Sequence, residues 1–262
     1  MLFGLCASAP ERISSARGWG FDFVEIGAGS VVPFEPDPAW HQQRRRLEES
    51  GATITHLAGF VPAEMPLIGP YVDLARFRGY IDTVVARASE VGVRTYNWGS
   101  AVAKNVPEGW PYSRAFEQLE REAHIIADAM ERHDGTCVIE PINPRECNIV
   151  YYLTDAMLLA RSVGREPIRV IPDYFHMALQ NEPLEHVKRV AAWLAHAHTS
   201  GPERHFPKPS DPWDHLGFLR ALKAAGYDRT LGFECSRVPP GADYADEARA
   251  GVAYMRRLWS EA

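Results

Sequence analysis

The chain has 262 residues, 46% of them hydrophobic, enough for a substantial core and within the range where one barrel makes one domain. Its 28 Lys and Arg stand against 34 Asp and Glu, a net charge of −6, so no basic surface follows a phosphate backbone and nucleic acid is not an expected partner. No run of about 18 apolar residues occurs and Cys6, Cys137, Cys147 and Cys235 form no C-x-x-C pair, so the expectation is a reduced, cytoplasmic chain with no membrane partner.

The opening MLFGLCASAPERISS has a short apolar run with no basic segment before it, and reads as a first strand rather than a signal peptide. Seven more apolar runs follow, so that predicted strands cover 2–6, 21–26, 53–56, 93–97, 136–140, 168–172, 194–198 and 230–234. Helical periodicity between them marks 40–49, 73–90, 114–132, 155–163, 216–225 and 245–258. Strand then helix, eight times over, predicts a parallel sheet with helices outside it. Eight units in this length predict an α/β fold, a (β/α)8 TIM barrel forming a single domain over 1–262. A doubly wound open sheet is the alternative. Two long loops, 58–72 and 98–113, follow the third and fourth strands and belong at the C-terminal mouth, where such barrels place their sites.

The strand ends carry the chemical signal. Alternate residues of a strand share a face. On that rule Val138 lies with Glu140, Ile171 with Asp173, His196 with His198, and Gly232 with Glu234. The faces stay small or apolar until the last position, with His196 the exception, then present a carboxylate or an imidazole. Burying a lone charge is expensive, and three converging carboxylates repel unless a cation lies between them. Glu140, Asp173, His198 and Glu234 are therefore read together as ligands of one divalent ion. Three oxygens and one imidazole favour Mn²⁺, with Mg²⁺, Co²⁺ and Zn²⁺ as further candidates. Taken singly, each residue reads as a helix cap, a salt bridge or a core histidine. Glu25, His56 and Asn97 end the second, third and fourth strands, and read as substrate contacts, as groups that orient the ligands, or as structural hydrogen bonding at the barrel rim.

These motifs resemble the xylose-isomerase-like sugar phosphate isomerase/epimerase superfamily, nearest to the ketose 3-epimerases that act on tagatose and psicose. The segment EPINPRECN is similar to that family's Glu-Pro-Leu-Asn segment, DYFH to its Asp-x-x-His, and HAHTSGPER to its His-x-His with an Arg six residues on. GFE matches the end of its last strand. The resemblance implies Glu140 and Glu234 as the catalytic pair, each also a metal ligand, with Asp173 and His198 completing the set. It implies Glu146, His176 and Arg204 as substrate contacts, and a homo-oligomer. Lys104 and Lys208 stand where the family patterns carry Arg and Gly. No glycine-rich phosphate cradle occurs, so a phosphosugar is not expected.

The chemistry implied is removal of a proton next to a carbonyl, through a metal-stabilised enediolate. Return of the proton to the opposite face of the same carbon gives C3 epimerisation of a ketose, a small carbohydrate. Return at the neighbouring carbon gives isomerisation, and departure of a leaving group gives elimination. A lyase or isomerase of a keto-glycoside or cyclitol is the alternative, and an abasic-site endonuclease-like activity a more distant one. Phe60, Trp98, Trp110 and Phe206 lie in the mouth loops, either to face a sugar or to pack the loops.

Overall fold

A computed structural model describes residues 1–262. Eight parallel strands follow one another: β1 (Leu2–Ala7), β2 (Phe23–Gly27), β3 (Ile54–Ala58), β4 (Thr95–Trp98), β5 (Thr136–Ile139), β6 (Ile168–Val170), β7 (Ala197–Thr199) and β8 (Thr230–Phe233). The helices are α1 (Pro10–Ser15), α2 (Asp37–Glu49), α3 (Leu74–Glu90), α4 (Ala101–Lys104), α5 (Tyr112–Arg132), α6 (Leu153–Val163), α7 (Tyr174–Leu179), α8 (Glu185–Arg189), α9 (His215–Ala224) and α10 (Tyr244–Glu261). Each strand pairs with its sequence neighbours, and β1 also pairs with β8. The last seam, between β6 and β7, is held by two single bridges, Val170 to Leu194 and Asp173 to His198. This is the single-chain (β/α)8 barrel expected from the alternation of runs.

All eight strands lie where apolar runs predict them, though several are shorter. β2 begins after Asp22, whose carboxylate accepts from Phe3 N at 2.8 Å. β7 begins only at Ala197, because Leu194 makes a single bridge to Val170 and no ladder. Helix starts follow local chemistry. α2 begins three residues earlier than its periodicity predicts, with Pro38 in the first turn where a missing N–H costs nothing. Asp73, Asp214 and Asp243 cap α3, α9 and α10 through their side chains. The short helices α7 and α8 were not predicted, because neither spans enough turns to display a period.

Apolar residues form one continuous core between the strands and the outer helices. Phe60, Trp98 and Phe206 belong to it, and Trp110 packs against it while donating Nε1–H to Gln118 at 3.0 Å. The loop aromatics are therefore packing residues, as the second of their two readings has it. All four cysteines are free thiols, and no helix is long and apolar enough to cross a membrane.

Candidate metal centre

Strand alternation builds the barrel interior in layers. Below the mouth lie Phe23, His56 and His196, with His56 4.5 Å from the Phe23 ring and 4.2 Å from the His196 ring between centroids. His56 spends both nitrogens on threonines, Nδ1 at 2.7 Å from Thr55 Oγ1 and Nε2 at 3.3 Å from Thr230 Oγ1. It faces the start of β8 and does not reach the mouth, so the substrate contact expected of it is corrected to a packing role.

The next layer is ionic. Glu25 Oε2 lies 2.9 Å from His198 Nε2 and 3.1 Å from His196 Nε2. It also accepts from Cys6 Sγ at 3.4 Å. Room for this group comes from Gly232, where a Cβ would lie 2.9 Å from both Glu25 Oε2 and the His198 ring. Burial disfavours charge on His198, but Glu25, Cys6 and Glu140 together outweigh burial and move the imidazole pKa well up. Burial likewise opposes ionisation of Glu25, and the two histidines outweigh it and move the carboxyl well down. Glu25 thus holds a ligand from below with Oε2, while Oε1 has no hydrogen-bond partner. Through Oε2 it contacts the two histidines rather than the mouth.

At the mouth the four expected ligands meet. Glu140, Asp173, His198 and Glu234 each offer a donor atom, and these atoms all lie within 4.8 Å of one another. With Glu25 on Nε2, His198 turns Nδ1 towards Glu140 Oε1 at 3.8 Å and Glu234 Oε2 at 3.6 Å. Each ligand is fixed by a different device. Glu140 Oε2 accepts from Asn97 Nδ2 at 2.9 Å, and a Cβ at Gly99 would collide with that oxygen. The backbone carbonyl of Glu140 accepts from the buried Lys104 Nζ at 3.0 Å. Asp173 caps α7 through Oδ1 and Phe175 N at 2.8 Å, which leaves Oδ2 to face the cluster.

Arg204 supplies positive charge along one side. Its Nη1 lies 2.8 Å from Asp173 Oδ2 and 2.9 Å from Glu234 Oε2, and its guanidinium stacks 3.8 Å from the Phe175 ring. Burial raises the carboxyl pKa values of Asp173 and Glu234, but Arg204 together with the neighbouring histidines outweighs it, His176 and His198 at Asp173 and His198 at Glu234, so each is lowered. Arg204 and Glu203 both have left-handed backbones, with φ of 62° and 57°, a costly turn that aims the guanidinium inward. From Arg204 a polar chain runs outward. Nη2 lies 3.0 Å from His176 Nε2, His176 Nδ1 lies 2.7 Å from Asn143 Nδ2, and Asn143 donates to Glu146 Oε1 at 2.8 Å. Glu146, His176 and Arg204 are thus brought together at the edge of the cluster, with Glu146 exposed. Asn143 was not singled out from the sequence, although it lies in the EPINPRECN segment.

The donor set fits a divalent ion. Glu140 Oε1, His198 Nδ1 and Glu234 Oε2 are buried without a hydrogen-bond partner, the last within ion-pair range of Arg204 but off the hydrogen-bonding direction. Unspent lone pairs on facing oxygens and one imidazole suit Mn²⁺-like cations.

Two characterised relatives are both epimerases, which supports the expected isomerase or epimerase class. D-psicose 3-epimerase of Agrobacterium fabrum is 22% identical over 79% of this chain and 73% of its own length. 3-Dehydro-D-guloside 4-epimerase of Escherichia coli is 23% identical over 94% of this chain and 93% of its own. The solved structure of an L-ribulose 3-epimerase superposes with a TM-score of 0.84 at 17% identity, over 99% of this chain and 95% of that one, and attests the fold. The xylose isomerase-like TIM barrel family matches residues 13–258, and this chain belongs to that family.

Proposed function

We propose that this chain is a divalent-metal-dependent epimerase of a small carbonyl sugar, moving a proton at the carbon beside the carbonyl. The observation that carries the reading is one donor cluster flanked by two glutamates. Glu140 and Glu234 approach His198 Nδ1 from β5 and from β8, at 3.8 and 3.6 Å. Glu140, Asp173, His198 and Glu234 would hold the ion, which when bound supplies a Lewis acid for the charge that develops on the substrate oxygens.

The chain's own groups do the rest. A carboxylate on one side of the sugar takes the α proton, and a carboxylic acid on the other returns one, so the carbon is inverted. Glu140, nearly closed off and anchored by Asn97, is held in one position. Glu234 is about a third exposed and can exchange its proton with solvent between turnovers. Arg204, His176 and Glu146 line one flank with donors and acceptors that would fix hydroxyls. C3 of a ketose is the reacting position favoured by the motif resemblance. Elimination from a keto-glycoside or cyclitol would use the same pair of glutamates.

The test is a panel of ketoses and keto-glycosides incubated in D₂O with Mn²⁺, Mg²⁺ or Co²⁺ and followed by NMR. Deuterium at the epimerised carbon, lost on addition of chelator, is expected. Turnover without any solvent deuterium in the product, or undiminished by chelator, would overturn the reading.

A further inference from the structure

The mouth contains a second, emptier half. The residues that alternation places above the ionic layer on β1, β2 and β3 are Ser8, Gly27 and Ala58. All three are small, and together with Gly29 and Gly59 they line a cavity of about 670 Å³. Glu234 also lines it, so the space opens directly from the donor cluster. It adjoins the room above the four ligands, because only Glu234 of the four belongs to its wall. Ligand pockets run from about 300 to 1,000 Å³, and a lone hexose is at the small end of what they serve.

The small apolar walls of this space are interrupted by polar groups with bonding capacity to spare. Arg12 lies at its edge with the guanidinium 3.7 Å over the Tyr244 ring. No carboxylate comes within 4.0 Å of it among the ion pairs of the chain. A cation fixed flat on an aromatic ring and lacking an acid partner is placed to donate to an incoming acceptor. At the floor, Glu25 Oε1 has no donor. Donors and acceptors without partners, around a hollow walled by the smallest side chains, match a hydroxyl-bearing ring better than an alkyl chain.

We infer that the substrate is a carbonyl sugar carrying a glycosidic substituent, with the reacting ring over the donor cluster and a second sugar ring in the β1–β3 hollow beside Arg12. This rests on the proposed proton transfer at the cluster and specifies its substrate class. The substituent contributes binding without taking part in the chemistry, so its loss lowers kcat/KM while leaving the position of exchange unchanged.

The experiment compares three probes in D₂O with Mn²⁺: a keto-disaccharide, the corresponding methyl keto-glycoside and a free ketohexose. The expected order of kcat/KM is disaccharide, methyl glycoside, ketohexose, with roughly tenfold or more between first and last. Filling the hollow with Ala58→Trp should collapse that ratio by roughly tenfold or more, through loss on the disaccharide. Gly29→Trp provides a second filling where a Cβ meets nothing within 4 Å, and should move the ratio the same way. Exchange on the ketohexose equal to or faster than on the disaccharide overturns the inference and leaves the proposed function standing. So does a ratio that neither folded variant changes. Exchange on none of the three overturns the proposed function, and the inference with it.

Discussion

From β5 to β8 every strand leads into a member of the cluster of Glu140, Asp173, His198 and Glu234, whereas the matching positions at the ends of β1, β2 and β3 are Ser8, Gly27 and Ala58. The two halves of one mouth thus divide the work. Chemistry needs charged groups locked at fixed separations, and the crowded half supplies a lock for each: Asn97 for Glu140, the helix cap for Asp173, Glu25 for His198 and Arg204 for Glu234. Recognition of a bulky group needs room, and the other half supplies it by withholding side chains. Glu25 connects them, since it grows from β2 on the bare side yet reaches under the cluster to hold His198.

If the crowded half alone performs proton transfer, its removal should have the largest effect. Glu140→Gln preserves shape and the contact with Asn97 but cannot accept a proton. Exchange of substrate hydrogen with D₂O should fall by about 10³-fold, with circular dichroism unchanged. Exchange at the wild-type rate would mean that the asymmetry of the mouth has nothing to do with catalysis.

Glu25 tests whether the bare side serves the crowded one. Glu25→Gln keeps the volume and removes the charge that sets His198 with Nδ1 facing the cluster. Mn²⁺ affinity measured by calorimetry should weaken by about 10–100-fold, and the rise in Tm on adding Mn²⁺ should shrink with it. Unaltered affinity would sever the link between the halves and leave Glu25 as a buried structural acid.

How much of this contrast could be read in the sequence follows from its physical form. The cluster of four was legible because a period of two leads each face to a charge, and a charge at the end of an apolar run is conspicuous. Arg204 and His176 came through motif resemblance, but the left-handed turn that aims Arg204 depends on the fold around it. Lys104 was visible only as a departure from Arg, and its burial against the Glu140 carbonyl had no local signal. His56 misled because it ends a predicted strand just as Glu25 does, and only the register shows its ring turned down towards Thr230. The bare half was illegible for a simpler reason. Ser, Gly and Ala attract no notice in a string, and their meaning appears only when three of them fall side by side on neighbouring strands.

The final contrast lies between the carboxylates of the crowded half and one outside the mouth. Glu25 and Asp173, both buried, and the partly exposed Glu234 stand beside histidine or arginine partners, and each has its pKa lowered. Glu122 on α5, a helix that packs against α3, α6 and β5, is fully buried with no partner for either oxygen. Desolvation raises its pKa to about 10. Folded, it keeps its proton up to that pH, while the unfolded chain releases it above about 4.3. Its contribution to stability is therefore complete below pH 4.3 or so and drains away as pH climbs towards 10, by at most about 1.4 kcal/mol per pH unit. Glu122→Gln, which cannot ionise, should stay close to the wild type in Tm near pH 5 and exceed it by a margin that widens steadily towards pH 8.5. Thermal melts of both proteins across that range decide it. Curves that stay parallel would show that Glu122 finds a cation or water to compensate its charge, and that partnered and unpartnered carboxylates in this barrel do not differ as their surroundings require.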